Sequence, residues 1–113
     1  MPTLSMRIDL DSGARIGPGK IALLKAVGKT GSIAAAGRSL DMSYRRAWRL
    51  LEELNKSFGK PLITSKTGGK RGGGAALTVL GKAVIAHYAS IERKSHKAAA
   101  RHLSALQATM RRR

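Results

Sequence analysis

Residues 31–82 read GSIAAAGRSLDMSYRRAWRLLEELNKSFGKPLITSKTGGKRGGGAALTVLGK. Two helical patterns stand almost back to back in the first half of this stretch. Ser32 precedes Ile33 to Leu40 and Ser43 precedes Tyr44 to Phe58, and a serine in that place caps a helix by accepting a hydrogen bond from a first-turn amide. Asp41 and Met42 leave only a short connector between them. In the second helix Ala47, Leu50, Leu51, Leu54 and Phe58 recur at three-and-four spacing, which makes one apolar face. Tyr44, Arg45, Trp48, Arg49 and Glu52 are left on other faces, so the start of that helix is exposed and cationic.

Gly59 and Pro61 stop the helix. Leu62 to Ser65 reads as a strand, Lys66 to Gly74 is a loop with five glycines plus Lys70 and Arg71, and Ala75 to Leu77 returns as a second strand. Thr78 then caps a helix from Val79 to Ala108, about 45 Å long at the standard rise. Upstream, Leu4, Met6, Ile8 and Leu10 alternate with polar residues at the strand period, Asp11 to Gly13 turn, and Ala14 to Ile16 return. Gly17 and Pro18 open a helix whose buried side is Ile21, Leu23, Leu24 and Val27, and Gly28 to Gly31 weakens and ends it. The expected order is therefore a hairpin over 4–16, three helices over 18–58, a glycine-rich hairpin over 62–77 and a long helix over 79–108. That is a mainly α chain with a small β component: a single winged helix-turn-helix domain over 1–113 carrying a long C-terminal helix.

Charge points to the partner. The 113 residues hold 22 Lys and Arg against six Asp and Glu, a formal charge of +16. Such an excess repels itself and is normally neutralised by a polyanion, so nucleic acid leads. No stretch approaches the roughly 18 apolar residues of a spanning helix, and Met1 to Leu10 lacks a signal-peptide core, so a cytoplasmic protein without membrane partners is expected. With no cysteine there is no disulfide framework, thiolate zinc site or cysteine nucleophile. The hydrophobic share of 42% suffices for one small unstapled core.

A helix enters the major groove with its first side chains towards base edges, which makes Tyr44, Arg45, Arg46 and Arg49 the readout or phosphate-clamping candidates, with Ser43 beside them. Ser32, the cap of the preceding helix, is a further candidate for DNA contact. Arginine bonded twice to guanine discriminates by about 1–3 kcal/mol, whereas a cation on phosphate adds affinity without sequence choice. Lys66, Lys70 and Arg71 in the glycine-rich wing suit phosphates or the adjacent minor groove. Trp48 is expected to pack against neighbouring elements rather than stack on bases already stacked in a duplex.

The glycine loop lacks the Gly-Lys-Ser/Thr spacing of a phosphate loop. His87, His96 and His102 are not at the four-residue spacing that brings two imidazoles onto one metal, and the acidic residues have no accompanying nucleophile or cofactor loop. No catalytic residue, metal or cofactor is expected. Leu80, Val84, Tyr88, Ile91, Ala98, Leu103 and Leu106 form an imperfect stripe along the last helix, suited to pairing with a second chain.

The motifs Thr30-Gly31-Ser32-Ile33, Ser43-Tyr44-Arg45-Arg46-Ala47-Trp48 and Gly68 to Ala75, followed by Leu77-Thr78-Val79-Leu80-Gly81, resemble the DNA-binding domain of ModE-type molybdate-responsive regulators. The wider likeness is to LysR-type winged domains. The resemblance implies a homodimer controlling transcription, with Tyr44, Arg45 and their neighbours in the major groove of double-stranded DNA and Lys70 and Arg71 in the wing. Molybdate sensing in that family belongs to a separate C-terminal domain, which this sequence does not contain, so molybdate is not expected to bind it. Two other readings stay open at this point: a sequence-tolerant architectural DNA binder, and a winged helix used to bind protein.

Overall fold

The computed structural model describes residues 2–66 and 74–110. Its elements are β1 (Ile8–Asp9), β2 (Arg15–Ile16), α1 (Pro18–Thr30), α2 (Ile33–Ser39), α3 (Tyr44–Phe58), β3 (Ile63–Lys66), β4 (Gly74–Leu77) and α4 (Val79–Thr109). Strands β1 and β2 form one antiparallel pair and β3 and β4 another. The result is the winged helix-turn-helix with a long final helix.

Local chemistry accounts for most boundaries. The hydroxyls of Ser32, Ser43 and Thr78 accept hydrogen bonds from the amides of Ala35, Arg46 and Gly81 at 3.1, 3.1 and 3.0 Å, capping α2, α3 and α4. Helix α1 runs through Gly28 and ends at Gly31, whose φ of +72° suits a residue without a β-carbon and whose amide bonds the Val27 carbonyl. Gly28 has a packing role instead: a β-carbon there would lie 2.7 Å from Leu77 Cδ1, so its absence lets β4 close onto α1. Between α2 and α3 the chain turns through Asp41 at φ +55°, a left-handed conformation that a short polar side chain tolerates better than a branched one.

The N-terminal hairpin is shorter than the alternation from Leu4 to Leu10 predicts. Ile8 faces Ile16 and Asp9 faces Arg15, and the ladder stops there. Continuing the register would set Met6 against Pro18, which has already entered α1 and has no amide hydrogen. Residues before β1 instead reach α4, where the Tyr88 hydroxyl donates to the Met6 carbonyl at 2.7 Å.

The core draws on every layer: Leu23, Leu24 and Val27 of α1, Ala36 of α2, Leu51 and Leu54 of α3, and Leu62 are each at most 1% exposed. A fully buried leucine contributes about 1.5–3 kcal/mol. Helix α4 enters this core with its first three turns only. Val84 and Tyr88, expected on the stripe for a second chain, are buried at 8% and 2% exposure in the chain's own core. That corrects their assignment: periodicity marks an apolar stripe but does not say which partner covers it. Beyond Ile91 no residue of α4 is buried, and the molecule is 60 Å along its longest axis. Among the described residues no helix is long and apolar enough to cross a membrane.

Candidate nucleic-acid interface

Ser43 fixes where α3 begins, and the first six residues of that helix carry its cationic surface. Tyr44 is 57% exposed, and Arg45, Arg46 and Arg49 are exposed beside it. Ala47, Leu51 and Leu54 are buried beneath, so the opposite side of α3 faces outward. Arg45 and Arg49 are one turn apart, with guanidinium groups free of any ion pair among the described residues. Glu52 and Glu53 follow on the next turn and separate this cationic start from Lys56 in the last turn.

The two flanks of α3 differ. On one side Trp48, Leu51, Glu52 and Asn55 meet Ile33, Ile63 and Ser65 around a cleft of about 140 Å³. Trp48 is only partly packed there and remains 44% exposed. On the other side Arg46 turns towards the N-terminal hairpin and the start of α1.

Strand β3 is tied to α3 by a residue that sequence reading missed. Asn55 accepts from the Leu62 amide at 2.8 Å and from the Ile63 amide at 3.5 Å, and its own amide group donates to the Ile63 carbonyl at 3.4 Å. Strand β4 is tied to α1, the Ala75 amide donating to the Gly31 carbonyl at 2.9 Å. The four-pair ladder from Ile63–Leu77 to Lys66–Gly74 thus stands at a fixed angle beside α3. Of the expected wing cations, Lys66 ends β3, while Lys70 and Arg71 lie outside the described residues.

Ser32 is half-buried and its hydroxyl is engaged in the α2 cap; Ser43 is exposed, and its hydroxyl oxygen accepts from Arg46. Of the apolar stripe on α4, Leu80 packs against the core, Leu103 is half-buried, and Ile91, Ala98 and Leu106 are exposed, Leu106 at 66%. No group of three or more His, Cys, Asp or Glu able to hold a metal ion occurs among the described residues.

A short helix, a tight turn, an exposed cationic helix and a two-stranded hairpin braced against it define a helix-turn-helix domain of the winged class. Residues 19–82 match the family described as bacterial regulatory helix-turn-helix protein, lysR family. The chain belongs to that family. It is similar to the molybdenum-pterin-binding protein MopB of Rhodobacter capsulatus, 47% identical over 81 residues that make 72% of this chain and 30% of that protein. The transcriptional regulator ModE of Haemophilus influenzae is 38% identical over 93 residues, 82% of this chain and 36% of its own length. The ModE-type resemblance of the motifs between Thr30 and Gly81 thus extends over most of the chain, which spans about a third of the length of these relatives. A crystal structure of a CbnR_DBD–DNA complex shares the fold, with a TM-score of 0.60 and 24% identity over 78% of this chain and 95% of that one.

Proposed function

We propose that this chain binds double-stranded DNA sequence-specifically and regulates transcription as a homodimer. The observation that carries the reading is the exposed start of α3, where Tyr44, Arg45, Arg46 and Arg49 stand free of the core on a helix fixed by the Ser43 cap and braced by the wing. Family membership and the DNA-bound CbnR relative in fold support the same use. Arg45 and Arg49 are the base-reading residues, and Lys66, Lys70 and Arg71 hold phosphate or the neighbouring minor groove. The part of α4 beyond the core supplies the contact between copies through Ile91, Ala98, Leu103 and Leu106. Two heads then address half-sites about 34–36 Å apart, one turn of B-DNA, or a multiple of it. Molybdate recognition is assigned to none of these residues, and no catalytic step is involved.

The test is selection of duplexes from a genomic fragment pool by the purified protein near physiological salt, followed by sequencing of the enriched pool. A palindromic motif supports the proposal. Retention without a motif favours an architectural DNA binder, protection of one isolated half-site by a stable monomer refutes the dimer, and no retention moves the function to protein partners.

A further inference from the structure

We infer that the N-terminal hairpin is a second DNA contact, a phosphate clamp on the flank of α3 opposite the wing. This inference rests on the duplex-binding reading above and adds a surface to it. Arg7, Arg15, Lys20 and Arg46 line one groove of about 410 Å³. They arrive from four places in the sequence: the approach to β1, β2, the first turn of α1 and the first turn of α3. Arg7 and Arg15 lie before residue 19, where the family match begins.

The cations are held rather than scattered. Asp9 receives Arg7 Nε at 3.1 Å and Arg15 Nε at 3.5 Å, while a second Arg7 nitrogen donates to the other carboxylate oxygen at 3.2 Å. Lys20 Nζ donates to the Arg15 carbonyl at 3.3 Å. Gly17 puts no side chain between these groups and α1; a β-carbon there would meet Arg7 Cγ at 3.8 Å. One carboxylate among four cations leaves the groove with a net charge of +3. Both arginine side chains stay more than half exposed despite the pairing, at 59% and 65%. Their outer N–H groups are open to an external acceptor.

Geometry selects duplex phosphate as that acceptor. Arg46 directly follows Arg45, so it is turned by about 100° around α3 from it. The groove is therefore continuous with the reading surface and sits at its edge. A major groove about 12 Å wide closes on a helix about 10–12 Å across, which brings one phosphate wall along each flank of the helix. The wing stands on one flank of α3, and the hairpin cluster stands on the other.

The experiment measures duplex affinity by fluorescence anisotropy across a salt series for the wild type, Arg7→Gln/Lys20→Gln and Lys94→Gln/Lys97→Gln. The two double variants have equal net charge, and the second pair lies on the projecting part of α4. Each lost phosphate contact lowers the logarithmic salt slope by about 0.9, so the hairpin variant is expected to lose about 1.8 of slope and about 10- to 30-fold of affinity near 0.15 M salt. Base preference and the Lys94→Gln/Lys97→Gln slope should stay as in the wild type. Arg15→Gln alone, measured in parallel, should lose about 0.9 and carries the test if the double variant does not fold. Equal slopes in the wild type and the hairpin variants, or equal losses in both double variants, overturn the clamp while leaving the DNA reading intact. A wild type that retains no duplex overturns that reading and the clamp with it.

Discussion

Replacing Gly81 with alanine is expected to destabilise the protein by about 2–4 kcal/mol, although alanine in a helix is favoured over glycine by about 0.8–1 kcal/mol. Gly81 is the third residue of α4, where a β-carbon would run into the Leu62 carbonyl oxygen and come within 3.1 Å of the Leu62 carbonyl carbon. That oxygen is backbone, and it is occupied. It accepts from the Thr78 amide at 2.9 Å and faces the Thr78 hydroxyl at 3.1 Å, the same hydroxyl that caps α4 through the Gly81 amide. Relief of the clash requires α4 and the start of β3 to separate. Separation weakens a hydrogen bond worth about 0.5–1.5 kcal/mol and a cap worth about 1 kcal/mol, on top of about 1–3 kcal/mol of overpacking. Subtracting the gain in helix propensity leaves about 1.5–4.7 kcal/mol, and the stated range is the middle of that span. At about 4 °C per kcal/mol for a domain of this size, the midpoint of thermal unfolding followed by circular dichroism should fall by about 8–16 °C. Gly19→Ala is the control, since a β-carbon at Gly19 meets nothing within 4 Å, and its midpoint should stay level or rise. A Gly81→Ala midpoint at or above the wild type would refute the reasoning.

Other outcomes follow from single contacts. The Tyr88 phenol is raised above its usual value near 10, first by burial and then by the Glu92 carboxylate. The unfolded chain therefore releases that proton first, and stability that is intact below about pH 10 falls as pH climbs towards the folded-state value. Tyr88→Phe should shrink this alkaline loss relative to the wild type while costing about 1 kcal/mol at neutral pH for the bond to Met6, both read from denaturant melts at pH 7 and above 10. Asn55→Ala strands the buried Leu62 amide and should destabilise by about 1–3 kcal/mol, with amide exchange in β3 accelerating more than in α1. Arg45→Ala and Arg49→Ala should flatten base preference, whereas Lys70→Ala should weaken all duplexes alike. Equal, sequence-independent losses in competition binding for all three would refute that division.

The parts of this molecule that were legible in its sequence are those set by near neighbours. Ser32, Ser43 and Thr78 announce helix starts because a cap is a contact across three residues. The apolar spacing of Ala47, Leu51 and Leu54 announces which side of α3 is inward for the same reason. What was not legible depends on contacts between distant segments. Val84 and Tyr88 belong to the same apolar stripe as Leu106, and only the position of the core separates those that meet the chain's own interior from those that face outward. Asn55 looks like an ordinary polar residue near a helix end until β3 arrives beside it. Gly28 reads as a helix breaker, and its actual partner is Leu77, across the fold. The groove at the N-terminal hairpin escaped notice because Arg7, Arg15 and Lys20 share no sequence motif with Arg46 and meet it only after α1 and α3 have packed.

The projecting helix α4 also sets a phase. Val84 and Tyr88 lock its first turns to the head, so the compass direction of every later side chain is fixed relative to the face bearing Arg45 and Arg49. Inserting one residue between Glu92 and Ala98 would advance whatever is held beyond it by about 1.5 Å but swing it by about 100°. Seven inserted residues would advance it by about 10.5 Å and swing it by only about 20°. The stem therefore behaves as a keyed shaft, tolerant of length changes in steps of seven and intolerant of single steps, so that reach can change while aim is preserved.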